Sequence, residues 1–193
     1  FSVGGNAANN AVGGERLGVQ TALVLTLGDD SIGNQIVEKL KVEGVDLTYV
    51  IQQPSTESNY SSVITYGGER TIFVYHAPRT YEFPGQLPNT PWVYLTSMGE
   101  TFKPFYDQLA GWLKNNPNVK LAFNPGSWQL RVPVSDLQNI LALTHIIYVN
   151  RKEAEKMTNF GDSHEKDKEL LVALSKLGPK MCVITDGGNG SFV

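Results

Sequence analysis

The sequence predicts an α/β fold that carries a small antiparallel β unit, and two observations support this. Apolar, β-branched runs alternate with amphipathic stretches in both halves of the chain, which is typical of strands buried on both faces and joined by helices. Between these halves, three short strand candidates follow one another without a helical pattern. We therefore divide the chain into the start of an α/β core at 1–45, a β unit at 46–81 and a continuing core at 82–193.

The first segment has the pattern helix, strand, helix. A glycine pair leads into a helical stretch near residues 6–17, and the run TALVLTLG at residues 21–28 predicts a buried strand. Residues 31–43 then form an amphipathic helix that Gly44 is placed to end. In the turn before this helix, Asp30 and Ser31 compete as its N-cap.

The second segment contains three strand candidates, TYVIQ, SSVITY and RTIFVY. The last two flank Gly67 and Gly68, which is the signal of a β-hairpin. We expect all three to belong to one small antiparallel unit inserted into the α/β pattern.

The third segment returns to the alternation of strands and helices. Its strands are WVYLT, KLAFN, HIIYVN and MCVIT, and its predicted helices cover residues 102–115, 134–143, 151–158 and 163–177. Each strand ends in a polar or glycine-rich loop. In a parallel sheet these loops share one edge, where ligands of doubly wound folds bind.

Composition argues against several classes of protein. Lys and Arg number 16 against 19 Asp and Glu, a net charge of −3, so the chain lacks the basic surplus of a general nucleic-acid binder. No apolar run approaches the roughly 18–20 residues that a membrane-spanning helix needs. The one cysteine, Cys182, lies in an apolar run and predicts a buried, inert thiol, which favours a cytoplasmic protein.

The chain begins at Phe1, shortly before a glycine motif, and ends in SFV, which resembles the start of a strand. We therefore expect it to be a piece of a longer protein.

Gly4 and Gly5 open the most informative stretch, GGNAANNAVGGERLG. Two glycines allow a ligand to approach the backbone, and Asn6 and Asn9 can both donate and accept hydrogen bonds. This combination suits a neutral, polyhydroxylated ligand. The alternative is a tight turn with Asn6 as helix N-cap and Asn9 merely solvated.

Two further motifs follow strands of the third segment. The loop TDGGNG begins at Thr185, and its glycines could let backbone amides converge on an anion, although a plain β-turn between two strands is equally compatible. Asn150 ends a strand, and Glu153 lies in the first turn of the next helix. Glu153 could hold the water shell of Mg²⁺, but on local grounds a capping role is favoured.

Together these motifs resemble the PfkB/ribokinase-like carbohydrate kinase family. GDDSIGNQIVEKLKVEGVD resembles its G-x-D-x-x-G helix, GERTIF its lid, NRKE its N-x-x-E element and TDGGNG its T-x-G-x-x-G nucleotide loop. The first family signature is matched by Gly4, Gly5, Ala7, Asn9, Ala11, Gly18 and Gly28.

The resemblance implies a ribokinase-like fold, a Rossmann-type three-layer α/β sandwich with a small antiparallel β lid. It also implies ATP-dependent phosphorylation of a primary hydroxyl of a sugar or nucleoside. The acceptor would bind at Gly4, Gly5, Asn6 and Asn9, beneath the lid. Asn150, Thr185, Gly187 and Gly190 would bind the nucleotide, and Glu153 would contact Mg²⁺ through water. Lids in this family often pair, which implies a homodimer, while a monomer with an exposed lid face stays open.

The sequence departs from the family at the second signature. The Gly-Ala-Gly-Asp motif that carries the catalytic aspartate does not occur in these residues. We therefore assign no general base, expect it beyond Val193 and expect this segment alone to be inactive. A non-catalytic sugar- or nucleotide-binding homologue with a regulatory role is the alternative. A dinucleotide oxidoreductase is disfavoured because neither glycine motif has the required strand-turn-helix context.

Overall fold

The computed structural model describes residues 2–193, which form two compact units, one ending at Pro84 and the other beginning at Gly85. Within residues 2–193, every helix is too short or too polar to cross a membrane.

Unit one combines a βαβ element with a hairpin. Its core is formed where the first two helices pack together with the residues around the first strand, and it includes Ala8, Ala11, Leu23, Leu40 and Val45. The elements are α1 (Asn6–Arg16), β1 (Leu25–Gly28), α2 (Ser31–Val42), β2 (Val50–Gln53), β3 (Tyr60–Tyr66) and β4 (Glu69–Tyr75).

The strand predicted at residues 21–28 is shorter than its apolar pattern suggests. Only Leu25–Gly28 forms a ladder, while Ala22 makes an isolated bridge with Asp46. The hydroxyl of Thr21 instead donates to the backbone of Ala11 in α1, at 3.1 Å. The first part of the run is therefore bound to helix α1 instead of pairing as a strand, and apolar character alone did not locate the strand boundary.

The expectation that TYVIQ belongs to the antiparallel unit is wrong. Strand β2, within that run, pairs in parallel with β1, with Leu25 opposite Val50 and Gly28 opposite Gln53. Helix α2 supplies the crossover that a parallel pair requires. The apolar pattern of a short strand indicates burial but does not specify its partner, which is why the expectation from the sequence assigned this strand to the wrong sheet.

The antiparallel unit is the hairpin of β3 and β4. Its strands pair from Tyr60 opposite Tyr75 to Tyr66 opposite Glu69. Gly67 and Gly68 form the two-residue turn with φ of 57° and 86°, a backbone that glycine adopts readily. The predicted hairpin is confirmed.

The N-terminus of α2 is tied to the segment that leads into the hairpin. Asp30 is the N-cap and accepts a hydrogen bond from the backbone of Gly33 at 2.8 Å. Its carboxylate also accepts from the backbone and the hydroxyl of Ser58, at 2.9 and 2.7 Å. Asp30 rather than Ser31 therefore caps the helix.

Unit two contains a five-stranded sheet whose strands lie side by side in the order in which they occur along the chain. The first four strands are parallel, and the last strand runs antiparallel to the fourth. The elements are β5 (Trp92–Leu95), α3 (Lys103–Asn115), β6 (Lys120–Phe123), α4 (Gln138–Leu141), β7 (Thr144–Asn150), α5 (Arg151–Thr158), α6 (Asp167–Ser175), β8 (Met181–Thr185) and β9 (Ser191–Phe192).

Two predicted helices of unit two are shorter than their patterns. The segment at 134–143 begins as a 3₁₀ turn, Val134–Leu137, before α4. Helix α6 begins at Asp167 rather than at Ser163. The backbone amide and hydroxyl of Ser163 both donate to the carboxylate of Glu155, which holds this residue in a loop beside α5.

The core of unit two lies between the sheet and its helices. Tyr106 of α3 packs edge-on against Phe123 of β6, with ring centroids 5.9 Å apart. Cys182 of β8 is buried, and this burial raises the pKa of its thiol to about 11. The prediction of a buried thiol is confirmed, and the raised pKa keeps it in the unreactive protonated form near neutral pH.

Candidate functional site

The glycine pair of unit one forms the entry to α1. Gly5 is the N-cap, with φ 94° and ψ 143°, a conformation that is open to glycine and strained for other residues. Its carbonyl accepts from the amide of Asn9 at 2.9 Å, which closes the first turn. Because Gly5 and not Asn6 is the N-cap, and no side chain caps this helix, the predicted alternative role of Asn6 as N-cap is wrong.

Asn6 and Asn9 lie on the exposed face of α1, one turn apart. The opposite face carries Ala8 and Ala11, which are buried in the core of unit one. The pattern that buries small alanines therefore leaves both amide side chains at the surface beside the glycine pair. Such amides can donate to and accept from the hydroxyl groups of a ligand.

Gly4 lies in open space. A Cβ placed on this residue has no neighbouring atom within 4 Å, and the backbone does not have a positive φ. Packing within the described protein therefore does not require glycine here. Close approach of a ligand to the backbone would require it.

In unit two, a capping box joins the end of β7 to the start of α5. The side chain of Asn150 accepts from the amide of Glu153 at 2.9 Å, and the carboxylate of Glu153 accepts from the amide of Asn150, also at 2.9 Å. The capping role that local reasoning favoured for Glu153 is therefore present. This contact uses only the Oε2 atom of the Glu153 carboxylate.

Strand pairing places Asn150 beside Thr185. The two residues are register partners at the carboxyl ends of β7 and β8, and both are exposed. The amide of Asp186 then donates to the carbonyl of Gly190 at 2.8 Å, which closes the turn that leads to β9. In this turn Gly187 has φ 53° and Gly190 has φ 90°, values that favour glycine.

The sequence-predicted residues thus fall into two groups. Asn150, Glu153 and Thr185 lie at one edge of the five-stranded sheet, and the adjoining turn contains Gly187 and Gly190. The other group, at the start of α1 in unit one, comprises Gly4, Gly5, Asn6 and Asn9. The turn also fits the predicted alternative of a simple connection between two antiparallel strands.

Sequence reasoning missed Arg151, the residue between these motifs. Its side chain is only 17% exposed and forms ion pairs with Asp186 at 3.0 Å and Asp167 at 2.6 Å. The hydrogen bond to Asp167, followed by the contacts with Asp186, raises the pKa of the guanidinium despite its partial burial. Its partners are distant in the chain, so the only sequence signal is a basic residue directly after a strand end.

Gln129 is a second residue whose role was not predicted. Its side chain is fully buried, and its oxygen accepts from the amide of Gly126 at 3.1 Å while its nitrogen donates to the carbonyl of Met98 at 3.2 Å. It therefore joins the loops that follow β5 and β6. A buried glutamine at the start of a short 3₁₀ helix has no local sequence signature that distinguishes it from a solvated one.

No group of three or more His, Cys, Asp or Glu side chains within residues 2–193 is arranged to hold a metal ion. Glu153 brings one carboxylate to the edge formed by Asn150 and Thr185, and the carboxylate of Asp186, which directly follows Thr185, is paired with Arg151. A single carboxylate fits Mg²⁺, which is commonly held by one or two carboxylates together with phosphate oxygens and waters.

Solved structures define the fold class. The structure is similar to that of a ribokinase from Giardia lamblia, with a TM-score of 0.78 and 19% identity over 98% of this chain and 61% of the other. It is also similar to a nucleoside kinase from Burkholderia thailandensis solved in complex with inosine, with a TM-score of 0.75, 19% identity, and coverage of 98% and 61%. The fold is therefore that of the ribokinase-like kinases.

Residues 1–193 match the pfkB family carbohydrate kinases, and the chain belongs to this family. It is 28% identical to a ribokinase of Haemophilus influenzae over 206 residues, covering all of this chain and 63% of the relative. It is 25% identical to a nucleoside kinase of Methanothermobacter thermautotrophicus over 195 residues, covering 98% of this chain and 60% of the relative. The chain thus spans less than two thirds of these relatives.

Proposed function

We propose that the whole protein containing this chain transfers the γ-phosphoryl group of ATP to a primary hydroxyl of a sugar or nucleoside. The observation that carries the proposal is the pairing of Asn150 with Thr185 at the edge of the sheet, with Glu153 in the adjoining helical turn. In a chain of the pfkB family, this arrangement offers polar groups and a carboxylate where a nucleotide and its metal ion would bind. The single, protonated thiol of Cys182 is compatible with our placement of the protein in the cytoplasm.

The acceptor would bind at the start of α1. Gly4 and Gly5 leave the backbone open, and the exposed amides of Asn6 and Asn9 can bind hydroxyl groups without requiring a charged substrate. The relatives include both ribokinases and a nucleoside kinase, and both acceptor classes contain a ribose with a primary hydroxyl. We therefore propose a small sugar or nucleoside as the substrate class.

The nucleotide would bind at Asn150 and at the turn containing Thr185, Gly187 and Gly190. The hydroxyl of Thr185 and the backbone of the glycine-rich turn can donate hydrogen bonds to phosphate oxygens. Glu153 would hold Mg²⁺ through water, and the metal would offset charge on the phosphates. We place no general base within these residues and propose that it lies beyond Val193.

The hairpin of β3 and β4 would act as the lid of the acceptor site. A closed lid keeps water from competing with the substrate hydroxyl as phosphoryl acceptor. Every residue of β3 is exposed, and apolar side chains such as Ile64 and Phe73 are more than half exposed. We propose that this hairpin also joins two copies of the protein as a homodimer.

The direct test uses the full-length protein and measures ADP formation with ribose, hexoses and nucleosides as acceptors. We expect ADP formation that depends on both an acceptor and Mg²⁺. ATP and acceptor binding without turnover would instead support the second candidate, a non-catalytic binding homologue, which is favoured by the lack of the Gly-Ala-Gly-Asp motif in these residues.

Glu153→Gln separates the metal role of this residue from its cap role. Glutamine also completes a capping box, so we expect the free energy of unfolding to change by less than about 0.5 kcal/mol. The variant loses the negative charge, so kcat should fall by about tenfold or more and the Mg²⁺ concentration needed for half-maximal rate should rise. Steady-state kinetics over a Mg²⁺ series measures this. An unchanged Mg²⁺ dependence would leave Glu153 as a helix cap alone.

A further inference from the structure

The guanidinium of Arg151 joins several separate segments of unit two. Its Nε contacts the carboxylate of Asp186 at 3.0 Å, and a terminal nitrogen contacts Asp167 at 2.6 Å. The other terminal nitrogen donates to the carbonyl and hydroxyl of Ser163, at 2.9 and 3.1 Å. The guanidinium carbon also lies 4.9 Å from the ring centroid of Phe192 in β9. One side chain therefore contacts both ends of the turn that follows β8.

Asp186 brings a negative charge into this turn. It directly follows Thr185, and its carboxylate accepts hydrogen bonds from the side chain of Asn189 and from Arg151. The bond from Asn189, together with the contacts from Arg151, holds the pKa of this carboxyl below its usual value. Asp186 is therefore ionised at neutral pH. An unpaired carboxylate at this position would repel the phosphates of a nucleotide.

We propose that Arg151 is a positioning residue for the nucleotide loop, an inference that rests on the proposed function of that loop. Arg151 neutralises Asp186 and fixes the turn from Asp186 to Phe192 against the start of α5. Asp186 in turn orients the side chain of Asn189 at 3.0 Å within the loop. The pair thus keeps an ordered loop beside Thr185 in which the charge of Asp186 is offset, without requiring Arg151 to touch the nucleotide.

The contacts of Arg151 require arginine rather than any basic residue. Its planar fork presents donors in three directions, toward Asp186, Asp167 and Ser163. A lysine has one compact ammonium group and cannot keep all of these contacts at once. Arg151→Lys therefore retains the charge and loses the geometry, whereas Arg151→Gln loses both.

The test compares binding of MgADP to full-length variants by titration calorimetry, at low and at high salt. We expect Arg151→Gln to bind MgADP at least tenfold more weakly than wild type at low salt, and the loss to shrink at high salt because charge repulsion is screened. Adding Asp186→Asn should restore part of the affinity, because it removes the unpaired charge while the turn stays less ordered than in wild type. A double variant as weak as Arg151→Gln, or an unchanged affinity in Arg151→Gln, would overturn the proposal.

Lys180→Gln is the matched control. It removes one positive charge from an exposed residue directly before β8, at the opposite end of the strand from Asp186. We expect its affinity for MgADP to stay within twofold of wild type. An equal loss in Lys180→Gln and Arg151→Gln would assign the effect to net charge and contradict a specific role of Arg151.

Hydrogen exchange separates failure of this inference from failure of the proposed function. Without nucleotide, amides at 186–192 should exchange faster in Arg151→Gln than in wild type or in Lys180→Gln. If wild type binds no MgADP, the proposed function fails, and exchange still decides whether Arg151 orders the turn. Unchanged exchange at 186–192 would overturn the positioning role in either case.

Discussion

At the scale of single residues, Asp30 shows how one carboxylate can serve two parts of unit one. It caps α2 through Gly33 and also binds the fully buried Ser58, whose hydroxyl in turn accepts from the amide of Gly28 at 3.1 Å. Partial burial acts to raise the pKa of Asp30, but the hydrogen bonds from Ser58 and Gly33 outweigh it and leave the pKa below its usual value. The folded protein therefore favours the ionised form.

Asp30→Ala removes both the helix cap and the partner of Ser58. We expect the free energy of unfolding to fall by about 2–4 kcal/mol, because cap loss and a buried unsatisfied hydroxyl each contribute roughly 1–2 kcal/mol. Urea denaturation measures the change. The neighbouring Asp29→Ala is the control, since Asp29 is exposed and does not cap the helix.

The pH dependence of this effect follows from the lowered pKa of Asp30. A carboxyl with a lower pKa in the folded state stabilises the protein above its unfolded pKa of about 3.9, and this contribution is lost as the pH falls through the folded pKa. The difference between wild type and Asp30→Ala should therefore shrink as the pH falls below about 4. A constant difference between pH 7 and this range would contradict the ionic role of Asp30.

The adjacent residues Gly4 and Gly5 should respond differently to alanine. Gly5→Ala places a side chain at φ 94° and should destabilise the protein by about 1–3 kcal/mol. Gly4→Ala fills open space and should change the free energy of unfolding by less than about 0.5 kcal/mol.

If the acceptor approaches the backbone at Gly4, Gly4→Ala should still raise the KM for the acceptor by about tenfold. Denaturation and kinetics of the full-length variants check both parts, and an unchanged KM would contradict contact at Gly4.

At the scale of elements, the hairpin of β3 and β4 exposes apolar side chains on both of its faces. Val63 and Ile72 are cross-strand partners on one face and are 55% and 48% exposed. Ile64 and Phe73 lie on the opposite face and are 59% exposed each. A pattern of this kind is typical of an interaction surface.

Replacing Val63 and Ile72 with threonine tests the proposed homodimer at this face. Threonine keeps a high β-propensity, and both residues are half exposed, so the free energy of unfolding should change by less than about 1 kcal/mol. If the homodimer buries this face, the dissociation constant should rise by tenfold or more. Sedimentation velocity over a concentration series measures it, with Ile64→Thr as the control on the other face. Equal dimerisation in all three proteins would exclude the hairpin as the interface, and a loss in Ile64→Thr alone would assign it to the opposite face.

Elements also show where sequence reasoning succeeds. The sequence correctly predicts the positions of strands such as HIIYVN and MCVIT. Apolar, β-branched runs that are bounded by polar loops are typical of buried strands. The partner of β2 is not predictable from its sequence, because TYVIQ carries the same local pattern whether it pairs with β1 or with the hairpin. Pairing depends on the crossover by α2, which is a property of the chain path and not of the strand itself.

At the scale of the whole molecule, the recognisable motifs were those whose chemistry is local. Asn150 and Glu153 lie within one turn, so their capping box and their proximity follow from spacing alone. The contacts of Arg151 with Asp186, and of Gln129 with Met98, join loops that are distant in the chain. Sequence spacing contains no information on such pairs, and only the parallel sheet that aligns the strand ends brings them together.

How much of the proposed reaction residues 1–193 can perform depends on which catalytic groups they contain. Residues 1–193 contain the proposed acceptor and nucleotide groups but not the Gly-Ala-Gly-Asp motif, and the chain spans less than two thirds of the ribokinase and nucleoside kinase relatives described above. A positioned general base contributes about 100- to 10,000-fold to the rate of such reactions. We therefore expect residues 1–193 alone to form ADP at least 100-fold more slowly than the full-length protein. Coupled assays on both proteins, with circular dichroism as the folding control, measure the ratio, and equal rates would show that the base lies within these residues.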